Sequence, residues 1–92
     1  MADFLVEVYT PRLDAAELAK LVARLKAVAE AMSAETPVTY VRSTHVPEDE
    51  TCFHLYEAES AEVVYEAGRR AGLTFDRVAA AVEPVRSEGG VR

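Results

Sequence analysis

The stretch Val38–Glu57, VTYVRSTHVPEDETCFHLYE, decides how this chain is built. Val38 to Val46 is rich in β-branched and aromatic residues, and Cys52 to Glu57 alternates Phe53 and Leu55 against Cys52, His54 and Tyr56. Between them Pro47, Glu48, Asp49, Glu50 and Thr51 read as a turn. Two strands joined in this way form a hairpin. The alternation predicts that Phe53 and Leu55 face the core and that His54 and Tyr56 face away from it. A four-residue turn at 48–51 pairs Pro47 with Cys52, and hence His45 directly with His54, whereas a slip of one residue sends one histidine to the other side.

Upstream, Asp14 and Glu17 stand at the spacing of a capping box. Leu18, Leu21, Val22, Leu25, Val28, Ala29 and Met32 then recur at intervals of three and four, which predicts a long amphipathic helix. Before it, Phe4 to Tyr9 predicts a strand that ends at Pro11, with Phe4, Val6 and Val8 on one face and Leu5, Glu7 and Tyr9 on the other. Downstream, Ser60 caps a second helix whose stripe is Val63, Val64, Ala67 and Ala71, closing with Arg69, Arg70 and Gly72. A last strand follows through Val82, Glu83 and Val85. Pro84 in it suits a sheet edge, where a missing amide donor is tolerated.

The order strand, helix, strand, strand, helix, strand implies an α+β domain, a ferredoxin-like βαββαβ fold with a four-stranded antiparallel sheet and both helices on one face. One such domain spans residues 1–86, and residues 87–92, with Gly89 and Gly90, read as a flexible tail. The chain of 92 residues has no room for a second core.

Sixteen acidic against ten basic residues give a formal charge of −6, which argues against nucleic acid and anionic membranes as partners. Cys52 is the single cysteine, as expected of a reducing, cytoplasmic setting. There is no apolar run approaching the roughly 18 residues of a membrane span, and no basic-then-apolar leader follows Met1.

Covering one sheet face with two helices leaves the other bare. The alternation assigns Leu5, Tyr9, Val41, Cys52 and Tyr56 to that bare side, and an apolar patch of this kind calls for a partner. The expected partner is a second copy, two sheets closing face to face into a dimeric α/β barrel lined by Glu7, His45, His54 and Tyr56.

The chain resembles a small bacterial family, once of unknown function and later described as nickel-binding, whose members are ferredoxin-like and dimeric. The resemblance rests on Phe4-Leu5-Val6-Glu7, on Tyr40-Val41-Arg42-Ser43, on the run from Val46 to Phe53, on Tyr56-Glu57-Ala58, and on Arg69-Arg70-Ala71-Gly72-Leu73 followed by Asp76-Arg77-Val78. It implies a homodimer holding nickel or another divalent transition metal. The chain departs from the family at Tyr40, where a tryptophan is frequent, and at Thr44-His45, where an aromatic pair is common.

The ligand candidates come from the residues themselves. Two imidazoles, His45 and His54, suit nickel, copper or zinc, although their spacing matches no established metal motif, and the plainer reading makes them polar residues of an interface or strand end. Glu7, Tyr40 and Tyr56 are candidate ligand-binding residues. Glu7 enclosed by a second subunit would have a raised pKa and act as a general base, whereas paired with Arg42 or Arg86 it merely neutralises charge. The alternative function is therefore an enzyme or small-molecule module in which Glu7 or His54 moves a proton. No organic cofactor is implied. Cys52 reads as an inert thiol, and the 48–50 carboxylates as a solvated turn.

Overall fold

The computed structural model describes residues 1–82. Strand β1 (Ala2–Tyr9) leads to helix α1 (Ala15–Met32), the hairpin β2 (Val38–Val46) and β3 (Thr51–Ala58), helix α2 (Ala61–Arg70) and β4 (Arg77–Ala81). The four strands form one sheet in the order β2-β3-β1-β4, with every neighbouring pair antiparallel. This is the expected ferredoxin-like α+β fold, with β2 and β4 as edges. Strand β4 ends at Ala81, earlier than the expected run, and Val82 follows it exposed and outside the strand, while Glu83, Pro84, Val85, the limit at residue 86 and the tail at 87–92 lie outside the described residues. Among the described residues, no helix is long and apolar enough to cross a membrane.

Helix α1 begins where the capping box places it. The Glu17 amide donates to Asp14 Oδ1 at 2.8 Å and the Asp14 amide donates to Glu17 Oε1 at 3.2 Å, which satisfies two of the free donors of a helix start. Its buried stripe is Leu21, Leu25, Ala29 and Met32. At its far end Ser33 clasps the start of β2: its hydroxyl donates to the Val38 carbonyl at 2.6 Å and accepts from the Val38 amide at 3.3 Å.

Helix α2 ends in a Schellman arrangement, with the Leu73 amide donating to the Gly68 carbonyl at 2.9 Å and Gly72 at φ +80°. Gly68 lies flat beneath Phe75, and a Cβ there would stand 2.8 Å from the ring. Both helices lie over one face of the sheet. Leu21, Leu25, Ala29 and Met32 of α1 and Val64 and Ala67 of α2 share a core with Phe4, Val6 and Val8 of β1.

The hairpin corrects two expectations. Val46 pairs with Thr51, so the turn is Pro47–Glu50, and His45 faces Cys52 while Ser43 faces His54. The cause is local: Pro47–Asp49 forms a single 3-10 turn and Glu50 takes a left-handed conformation (φ +51°), which returns the chain to the ladder at Thr51. The parity of β3 is likewise the reverse of the expected one. Phe4, Val6 and Val8 stand opposite Tyr56, His54 and Cys52. Directly opposed residues of an antiparallel pair share a face, so Cys52, His54, Tyr56 and Ala58 lie under the helices. Phe53 and Leu55 lie on the bare face with Leu5, Glu7 and Tyr9. Leu5 keeps 40% and Tyr9 61% of its surface exposed there, whereas Cys52 and Tyr56, assigned to this side from sequence, have none.

Candidate functional site: a hydroxyl and imidazole chain under the helices

Strand β2 carries a bulge between Tyr40 and Arg42. In a regular strand, residues three apart point to opposite faces; here Tyr40 opposes Tyr56 and Ser43 opposes His54, so both point under the helices. The consequence is a continuous chain of polar groups. Tyr40 OH is hydrogen-bonded to Ser43 Oγ, and Ser43 Oγ lies 2.6 Å from His54 Nδ1.

His54 is fully buried, and burial lowers its pKa to about 4, so its ring is neutral at physiological pH. Its Nε2 has no partner among the described residues, nor does the hydroxyl of Tyr56, which is buried beside it on the same strand. Such groups are rare because each costs about 1–3 kcal/mol when left unmet. The surroundings are aromatic: Tyr56 meets Tyr40 edge-on at 5.6 Å, and Phe75 lies 6.1 Å from both His54 and Tyr56. Burial also raises the pKa of Tyr40 and Tyr56, which remain phenols, and that of the Cys52 thiol.

The structure thus brings together three of the residues singled out from sequence, Tyr40, His54 and Tyr56, and separates the other two from them. His45 is half-buried at the end of the sheet, lining a groove of about 190 Å³ with Thr10, Arg12, Leu13, Pro47 and Glu50. Across this end the Thr10 amide donates to the Glu50 carbonyl at 2.6 Å, and Tyr9 OH donates to Glu50 Oε1 at 3.3 Å. Arg12 and Glu50, both non-glycine residues at positive φ, border the same groove. Glu7 lies on the bare face, 3.9 Å from Arg77 rather than against Arg42, and Arg86 lies outside the described residues. Ser43 and Phe75 were not foreseen. Ser43 joins the chain only through the bulge, and Phe75 follows a helix end that sequence marks simply as a stop.

The model of the family described as "Nickel responsive protein SCO4226-like" matches residues 4–80. The chain belongs to the SCO4226-like family. Among solved structures, SCO4226 from Streptomyces coelicolor A3(2) superposes with a TM-score of 0.78 at 22% identity, covering 94% of this chain and all of that one, which shows a shared fold. No curated protein matches the sequence.

For an SCO4226-like chain the donors can be weighed against nickel, which accepts imidazole, thiolate and carboxylate. His54 offers a neutral ring with an unpartnered Nε2, but its neighbours are two phenols, a phenyl ring and a thiol that burial holds protonated. His45 and Glu50 border one groove. Among the described residues of a single copy, no three His, Cys, Asp or Glu side chains come together as a metal ion requires. Within one copy, therefore, the described residues do not make a complete nickel site.

Proposed function

We propose that this protein is a small cytoplasmic homodimer that binds nickel or another divalent transition metal, with His45 and Glu50 as its groove ligands and the remaining donors gathered from outside one copy's described residues. The observation that carries the reading is the shared groove of His45 and Glu50, in a chain of a nickel responsive family. An imidazole and a carboxylate at one open groove supply two donors of the required kind. His54, the second candidate, is sealed beneath the helices with Nδ1 already engaged by Ser43, and it serves the fold first.

The bare sheet face supports the dimer. Leu5 stands between Leu55 and Ala79 across three strands, with the Glu7–Arg77 pair and Phe53 in the next row. An apolar band flanked by both signs of charge is self-complementary, as a two-fold interface requires. Calorimetric titration of nickel, copper and zinc into the chelator-treated full chain tests the metal. His45→Ala is expected to weaken binding at least tenfold and Glu50→Gln to a smaller extent, while His54→Ala leaves it nearly unchanged. Equal affinity in wild type and His45→Ala would refute the ligand assignment, and a monomeric mass by light scattering at micromolar concentration would refute the dimer.

A second reading, a small-molecule module or enzyme in which His54 or Glu7 moves a proton, draws on the Tyr40–Ser43–His54 chain. For Glu7 it requires a second copy over the bare face, since in one copy the carboxylate is half-exposed beside Arg77.

A further inference from the structure

We propose that the groove between α1 and the bulged edge strand β2 is a binding site for a small amphipathic carboxylate, a ligand separate from any metal. The groove, about 430 Å³, falls within the size range of small-molecule pockets. Leu18 and Val22 of α1 and Val41 of β2 form its apolar wall. Lys26 and Arg42 supply two cations, and Tyr40 and Ser43 two hydroxyls.

The charge is what singles the groove out. The chain carries a formal −6, yet no carboxylate lines this groove, and neither Lys26 nor Arg42 forms an ion pair among the described residues. Glu30, one turn along α1, borders the adjacent groove with Lys26 without pairing with it. Two unneutralised cations beside an apolar wall favour a ligand with one anionic head and a hydrocarbon body. The planar fork of a guanidinium matches a carboxylate in particular.

The hydroxyls give the site a readout in the core. The bulge that turns Tyr40 and Ser43 to the same side also connects the groove to His54. In one tautomer Ser43 donates to His54 Nδ1 and Tyr40 donates to Ser43, which uses up the phenolic proton. In the other, Nδ1–H donates to Ser43, Ser43 donates to the Tyr40 oxygen, and the phenolic proton is free for a ligand. A carboxylate accepts hydrogen bonds and offers none, so its arrival selects the second tautomer.

The test is titration of octanoate into the ¹⁵N-labelled full chain, with octan-1-ol and octylamine as uncharged and cationic controls. Octanoate is expected to shift the amides of residues 18–26 and 39–44 saturably and to move the His54 ring nitrogens toward the Nδ1–H pattern. Lys26→Gln combined with Arg42→Gln, both at exposed positions, is expected to weaken it at least tenfold. Tyr40→Phe is expected to abolish the tautomer response while leaving most of the affinity. Equal binding of octanol, undiminished affinity in the double variant, or a response centred instead on Lys20 and Arg24, which line a separate groove with Leu13 and Leu73, would each overturn the assignment.

Discussion

The two faces of strand β3 carry the reverse of what polarity would assign them. Beneath the helices lie an imidazole, two phenols, a hydroxyl and a thiol, whereas the bare face holds Leu5, Phe53 and Leu55 with part of their surface in water. What fixes a strand's parity is therefore its neighbour in the ladder: once Phe4, Val6 and Val8 are committed to the core, Tyr56, His54 and Cys52 follow them. The polar groups so buried must then find partners, and those they find run sideways through Ser43 to the sheet edge.

The largest expected effect contrasts like residues on the two sides. Leu25 is buried under α1, and Leu25→Ala is expected to cost about 2–5 kcal/mol in urea unfolding. Leu5→Ala and Leu55→Ala on the bare face are expected to cost less, about 1–2 kcal/mol in dilute protein, because the water-exposed part of each side chain loses nothing. At higher concentration the same two variants should lose stability relative to wild type, as burial by a second copy requires. Costs for Leu55→Ala as large as for Leu25→Ala at every concentration would erase the distinction between the faces.

Next in size is the pH dependence that comes from burying His54. In the unfolded chain this imidazole takes a proton below about pH 6.5, and in the folded chain only below about 4. The unfolded state binds more protons throughout that window, so stability rises with pH across it. The contribution is complete above about 6.5 and lost on descending through 4, and is on the order of 3 kcal/mol at most. Thermal unfolding of wild type should steepen between pH 6.5 and 4 relative to His54→Gln. Parallel curves would mean that His54 is wet.

How much of this could be read from the residues differs sharply between elements. Helix α1 was legible in full, since its capping box and apolar spacing admit no other reading, and β1 was legible because Phe4, Val6 and Val8 alternate with the charged Glu7. Strand β3 was not, because both of its faces are apolar enough to serve as core, so alternation separates two sets without ranking them. Its parity follows β1, its neighbour in the ladder, and the hairpin register is set by the 3-10 turn and the left-handed Glu50, neither of which a four-residue turn sequence announces. The candidate site was legible only as a list of residue types. Tyr40, His54 and Tyr56 were recognised individually, but the bulge that joins the first to the second through Ser43 leaves no mark in the sequence.

A smaller effect belongs to the roof of the covered face. Gly68→Ala places a methyl group 2.8 Å from the Phe75 ring, which is itself buried against His54 and Tyr56. The expected cost is about 1–3 kcal/mol by overpacking, and Phe75→Leu in the same chain should recover part of it. Strict additivity of the two substitutions in a double-mutant cycle would show that they do not meet.

The smallest effect has the most diagnostic sign. Removing a hydroxyl from a buried tyrosine ordinarily destabilises, because a hydrogen bond is lost with it. The hydroxyl of Tyr56 has no partner among the described residues, so it carries the cost of desolvation without the return of a bond. Tyr56→Phe retains the ring that packs on Tyr40 and Phe75 and removes only that oxygen. The variant should therefore be as stable as wild type or more so, by up to about 1 kcal/mol at pH 7 in urea unfolding. A loss of about 1 kcal/mol or more would mean that a bound water meets this oxygen, and the covered face would then be fully satisfied instead of holding open polar groups in its interior.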